Sequence, residues 1–133
     1  MSPEDIAKAG TEHAHQAALF CWSKQQIPVW PQLEWMYAIP NGGKRDAVTA
    51  NRLKMEGVKS GVSDVCLPFP KRGYHGFYIE MKKPAADGKK AGVESDNQKK
   101  FGAFLGENGF LYACFDNWLD ARDAIIWYMT EDV

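Results

Sequence analysis

The segment Phe77-Tyr78-Ile79-Glu80-Met81-Lys82 limits what this chain can fold into more than any other. Its aromatic and branched residues read as a strand, yet it holds a carboxylate near its centre and a lysine at its end. Side chains alternate across a strand, so Glu80 and Lys82 share one face while Ile79 and Met81 take the other. A charge beside such apolar residues is paired or binds a metal, because an isolated one is costly to bury. A second apolar run, Gly61-Val62-Ser63-Asp64-Val65-Cys66-Leu67, also carries one carboxylate. If the two strands pair, Asp64, Glu80 and the Lys82 ammonium come together. Two hard oxygen ligands suit Mg²⁺, which keeps several waters and also binds phosphate oxygens. The lysine suits the charge that develops on a phosphate under attack. Glu-x-Lys alone would fit a surface strand with alternating charges; the second carboxylate is what favours chemistry.

With 133 residues the chain is expected to form one domain over residues 1–133. An apolar share of 45% and seventeen aromatic residues point to a folded globule. No apolar run reaches the length of a membrane span, and Met1-Ser2-Pro3-Glu4-Asp5 lacks the features of a signal peptide. Cys21, Cys66 and Cys114 are odd in number and set among apolar residues, as expected of reduced thiols in an intracellular protein. The net charge of −1 conceals an uneven distribution. Residues 44–100 hold thirteen of the sixteen Lys/Arg against seven acids, whereas residues 101–133 sum to −5. A basic middle between acidic ends is compatible with a polyanion along one face, and equally with ordinary solvated lysines.

In chain order, Ser2-Pro3-Glu4-Asp5 starts a helix, and Gly10-Thr11 interrupts and recaps it. From Thr11 to about Gln26, Ala14, Ala17, Ala18, Cys21 and Trp22 form an apolar stripe. Glu12, Gln16 and Leu19 lie on another line, so Glu12 faces either solvent or a polar site. Leu33 to Ile39 reads as a first strand, followed by a Pro40-Asn41-Gly42-Gly43 turn and a helix containing Ala47 to Met55. The Asp64 and Glu80 strands come next, joined by Pro68 to Gly76. Pro84 to Val93 is expected as a mobile loop. Ser95-x-x-Gln98 opens a helix, Phe110 to Phe115 forms a strand, and Asn117 caps a last helix. A strand, crossover helix and strand near the end imply a parallel pair. The expected fold class is α/β, a central mixed sheet flanked by helices.

This order and these residues resemble the PD-(D/E)xK nuclease superfamily, and within it the VRR-NUC (virus-type replication-repair nuclease) family. The resemblance rests on Glu12, Asn41-Gly42-Gly43-Lys44-Arg45, Gly57-Val58-Lys59-Ser60-Gly61-Val62-Ser63-Asp64, Glu80-Met81-Lys82, Gln98 and the strand from Gly109 to Phe115. It spans nearly the whole chain. One departure is Ser63, where the family has a proline. The resemblance implies a restriction-endonuclease-like core and a site in which Glu12, Asp64 and Glu80 ligate Mg²⁺ or Mn²⁺. The Met81 carbonyl would be a further ligand, Lys82 would be catalytic, and Gln98 would support the site. Residue chemistry gives separate support to Asp64, Glu80 and Lys82 only; Gln98 is also explained as half of a capping box. His13 and His15, two residues apart on a helix, are not spaced to share a metal.

On this reading the chain hydrolyses DNA phosphodiesters, with Lys44, Arg45, Arg52, Lys54, Lys89 and Lys90 meeting the phosphate backbone. Similar free-standing members look like virus or prophage enzymes that cut branched DNA, such as Holliday junctions or flaps, as homodimers. That places the expected protein in the cytoplasm of a bacterial host, with Trp30, Trp35 and Trp127 as candidate dimer contacts. The rival readings are a restriction-type nuclease, and a non-catalytic DNA-binding or assembly module on a nuclease fold.

Overall fold

A computed structural model describes residues 1–40, 46–86 and 88–130. Lys44 and Arg45, together with Asn41, Gly42 and Gly43, lie outside the described residues. Two helices open the chain, α1 (Pro3–Ala7) and α2 (Glu12–Gln25). Ser2 and Asp5 form a reciprocal capping box on α1, and the Thr11 side chain caps α2 by accepting from the Ala14 amide. The expected break at Gly10-Thr11 is therefore present.

The expected strand from Leu33 to Ile39 is mostly absent. Pro31–Trp35 forms a 3₁₀ turn, and β1 is reduced to Tyr37–Ala38. Pro31 occupies the first position of the turn, and Leu33 is drawn inward to 3% exposure. Burial of Leu33 fixes a three-residue period that alternation along a strand would not give.

The rest follows in the anticipated order: α3 (Ala47–Met55), β2 (Val65–Leu67), β3 (Phe77–Met81), α4 (Asp96–Glu107), β4 (Leu111–Phe115) and α5 (Trp118–Met129). The sheet order is β1-β2-β3-β4, antiparallel except for the β3/β4 pair. That parallel pair is joined through α4, as the crossover pattern required. Glu80 stands opposite Cys114 in its register.

α2 and α5 pack against each other and against the sheet, burying Ala18, Leu19, Trp22, Ala121, Ile125 and Tyr128 with Phe77, Ile79 and Met81. Each large apolar side chain so buried contributes about 1.5–3 kcal/mol. On the other side of β4, α4 lies almost flush with the strand. A Cβ on Gly102 would come within 2.6 Å of the Tyr112 ring, so only glycine permits this approach. Leu19 is fully buried although it lies on the Glu12 line of α2, while Glu12 at the other end of that line is exposed. α3 differs from the other long helices in contributing no buried residue; Val48 and Met55 are 81% and 82% exposed.

Candidate active site

Asp64 precedes β2 by one residue, in a bend and not within the strand as expected. Its carbonyl accepts from the Ile39 amide (2.7 Å), and its Oδ2 accepts from the Met81 amide (2.8 Å). A backbone donor thus holds the Asp64 carboxylate against the end of β3, where Glu80 and Met81 lie. Lys82 follows β3 directly, its amide bonded to the Phe115 carbonyl at 2.8 Å. Its Nζ stands 3.6 Å from Glu80 Oε1, so the shared face expected from alternation is present.

Glu80 is the unusual group, with 1% exposure. Gln98 Nε2 donates to Glu80 Oε1 at 2.8 Å, and Lys82 approaches the same oxygen. Glu80 Oε2 is buried without a hydrogen-bond partner among the described residues. Burial first, and then the Asp64 charge, push the Glu80 carboxyl up to about 8; Lys82 offsets them only in part. A buried carboxylate oxygen of this kind can be satisfied by a cation, or by a proton shared with the neighbouring Asp64 carboxylate.

Gln98 both caps α4 and contacts Glu80. Its Oε1 accepts from the Ser95 amide at 2.8 Å, completing the capping box of α4, while its Nε2 holds Glu80. Opposite ends of one amide meet the two demands. Glu12, in the first turn of α2, has its pKa raised by burial and then by the charge of Asp64, with Lys82 opposing. It therefore lies within electrostatic reach of Asp64 and Lys82.

The donor set fits a hard divalent cation with an incomplete protein shell. Among the described residues no group of three or more His, Cys, Asp or Glu is placed to cage a metal. Two carboxylate residues, one with an orphaned buried oxygen, suit an ion that retains several waters, as Mg²⁺ does. They do not suit zinc, which requires a closed nitrogen and sulfur shell in structural sites. His15 belongs elsewhere: its Nδ1 accepts from the Trp118 amide at 3.0 Å, giving the first residue of α5 a side-chain partner.

Of the cations proposed for DNA, Arg52, Lys54, Lys89 and Lys90 are exposed, and Lys44 and Arg45 lie outside the described residues. Ala86 and Lys89 exchange backbone hydrogen bonds, and the Gly92 amide bonds to the Lys83 carbonyl. Glu94, which no residue pattern singled out, accepts from Tyr112 Oη at 2.6 Å. Burial, then Glu94 and Glu80, raise the Cys114 thiol to about 11, placing that acid near the site as well. Only the tyrosine in β4 could have hinted at a buried acceptor.

Ser63, which stands where a proline is expected, has a fully buried hydroxyl without a partner among the described residues. Ser63→Ala should therefore stabilise the protein by about 1 kcal/mol, read from urea unfolding midpoints. A loss of stability would show that this hydroxyl is satisfied.

The fold that holds these groups is an α/β core, with a mixed four-stranded sheet flanked by helices. More narrowly, it is the fold of a solved structure described as a VRR_NUC domain protein. The two superpose with a TM-score of 0.74 at 24% sequence identity, covering 90% of this chain and 88% of the other. No family model matches the chain, and no curated protein matches it.

Proposed function

We propose that the chain is a VRR-NUC-type, Mg²⁺- or Mn²⁺-dependent endonuclease acting on DNA. The observation that carries this reading is Glu80 Oε2, an orphaned buried carboxylate oxygen beside Asp64 and Lys82. Such an arrangement is costly for a binding module and useful to a hydrolase. The likeness in fold supports it.

Asp64 and Glu80 would hold the cation, with the Met81 carbonyl and Glu12 completing or orienting its shell. When bound, the cation supplies Lewis acidity at a phosphate oxygen and a more acidic water. The protein's own groups supply the rest. Gln98 fixes the Glu80 carboxylate, the Met81 amide fixes Asp64, and the Lys82 ammonium meets charge on the pentavalent phosphate. Arg52, Lys54, Lys89 and Lys90, with Lys44 and Arg45, would grip phosphates without reading bases.

Branched DNA is the proposed substrate, cut by a homodimer whose two sites face two strands. Trp35 at 70% exposure and Trp127 at 47% suit such a contact, whereas Trp30 is half-buried against the core. No helix among the described residues is long and apolar enough to cross a membrane. A cytoplasmic setting in a bacterial or phage context belongs to the same proposal.

The test is a Mg²⁺/Mn²⁺ titration on single-stranded, duplex, flap and four-way-junction DNA, with Lys82→Ala alongside. The wild type should cut branched substrates, and light scattering should read about twice the 14.9 kDa chain mass. Lys82→Ala should lower turnover by ~10²-fold or more while retaining cation affinity. A wild type that binds DNA but cuts none of the panel would favour the non-catalytic reading.

A further inference from the structure

The residues around Asp64 and Glu80 close into a ring. Met81 N–H donates to Asp64 Oδ2 (2.8 Å), Glu80 precedes Met81, and Gln98 Nε2 donates to Glu80 Oε1 (2.8 Å). Asn97 precedes Gln98, and its Nδ2 donates to Ser60 Oγ at 3.0 Å. From Ser60 the backbone runs through Gly61, Val62 and Ser63 back to Asp64. Three hydrogen bonds and three short covalent stretches therefore form one circuit. The Asn97–Ser60 bond is the member farthest from the candidate chemistry, and both its residues are exposed.

The contact beneath that bond has no clearance. Gly61 has φ +89°, and a Cβ built there would fall 2.6 Å from the Asn97 carbonyl carbon and oxygen. The first turn of α4 is thus pressed against the turn that delivers Asp64. Neither Ser60 nor Asn97 touches the two carboxylates, and neither is buried, so neither is required by the core.

We infer that the Ser60–Asn97 hydrogen bond is a clasp that sets the separation of the Asp64 and Glu80 carboxylates, making Ser60 and Asn97 positioning residues for the divalent cation. The inference rests on the metal-site reading above. Opening the clasp frees the Asp64 turn from the α4 terminus. The two ligands then sample a wider range of spacings, and the cation must bear the cost of ordering them. A carboxylate pair held on separate elements needs such a tie, because Mg²⁺ tolerates little departure from octahedral geometry.

The experiment uses the full chain and Mn²⁺, titrated by calorimetry into wild type, Ser60→Ala, Asn97→Ala, the double variant and Ser60→Thr. Amide exchange at Met81 is followed in the metal-free proteins. Each single alanine variant should weaken Mn²⁺ binding by roughly three- to tenfold, the low end of outer-shell effects. The double variant should lose no more than either single one, since all three lack the same bond. Ser60→Thr keeps the hydroxyl and should restore affinity. The Met81 amide should exchange faster in the alanine variants while the α5 amides stay protected, an outcome that general destabilisation would not give. Unchanged Mn²⁺ affinity with unchanged Met81 exchange would overturn the clasp, and so would fully additive losses in the double variant. A wild type that fails to bind Mn²⁺, but whose Met81 exchange still responds to the alanines, would reject the metal site and leave the clasp standing.

Discussion

Glu80→Gln is expected to abolish cleavage and to raise the melting temperature of the metal-free protein. The two effects have one cause. Glu80 is almost wholly buried, and its Oε2 has no partner among the described residues, so its charge is a burden until a cation arrives. The amide keeps an acceptor for Gln98 and offers a donor toward Asp64, removing the charge at nearly constant volume. Stability should rise by on the order of 2 kcal/mol near pH 8. Activity should fall by ~10³-fold or more, because a neutral amide is a poor ligand for a hard cation. Thermal unfolding and a cleavage assay on the same preparation measure both. A variant that is inactive and also less stable would make Glu80 a structural residue, and one that still cuts would remove it from the site.

Stability of the metal-free wild type should decline as pH rises from 6.5 to 8, and Mg²⁺ should cancel the decline. The Glu80 carboxyl is pushed up to about 8 in the folded protein against an ordinary value of 4.5. Between those values the folded state holds a proton that the unfolded state has released. Folding therefore takes up a proton, and stability drops with rising pH until the folded carboxyl ionises. Glu12 shifts in the same direction. His15 runs the other way: burial lowers its pKa, so its effect appears below about 6.5 and leaves the upper window to the acids. Over that window the loss is at most about 2 kcal/mol, or roughly 5 °C in melting temperature. A cation favours the ionised carboxylate and so reverses the slope. Melting curves at fixed ionic strength, with and without Mg²⁺, give the comparison. A flat profile without metal would mean that Glu80 is not held above its usual range, and Glu80→Gln should be flat in either case.

The candidate site was legible where it coincided with a conflict between residue type and neighbours. Glu80 stands out because a carboxylate amid Phe77, Tyr78 and Ile79 contradicts burial, and Lys82 because alternation returns it to the same face. Helix starts were legible at Ser2, Thr11, Ser95 and Asn117, where each cap forms with its own neighbours in sequence. What escaped depends on distant partners. The reach of Gln98 to Glu80, the bond of Asn97 to Ser60 and the Tyr112–Glu94 pair all join elements that the chain order does not align. β1 was overread because Trp35, Met36 and Tyr37 favour a strand, but a single inward leucine after Pro31 wound the chain into a turn first.

α3 gives the fold a region free of the usual constraints on change. Its nine residues bury nothing, so substitutions along its outer side leave the packing of β2, β3 and α5 untouched. Yet it connects β1 to the turn that carries Asp64, a short distance along the chain from the reactive groups. Lengthening, recharging or replacing this helix would alter what the molecule holds while the carboxylates keep their places. In the proposed nuclease, this helix is therefore where substrate range could change without disturbing the candidate site.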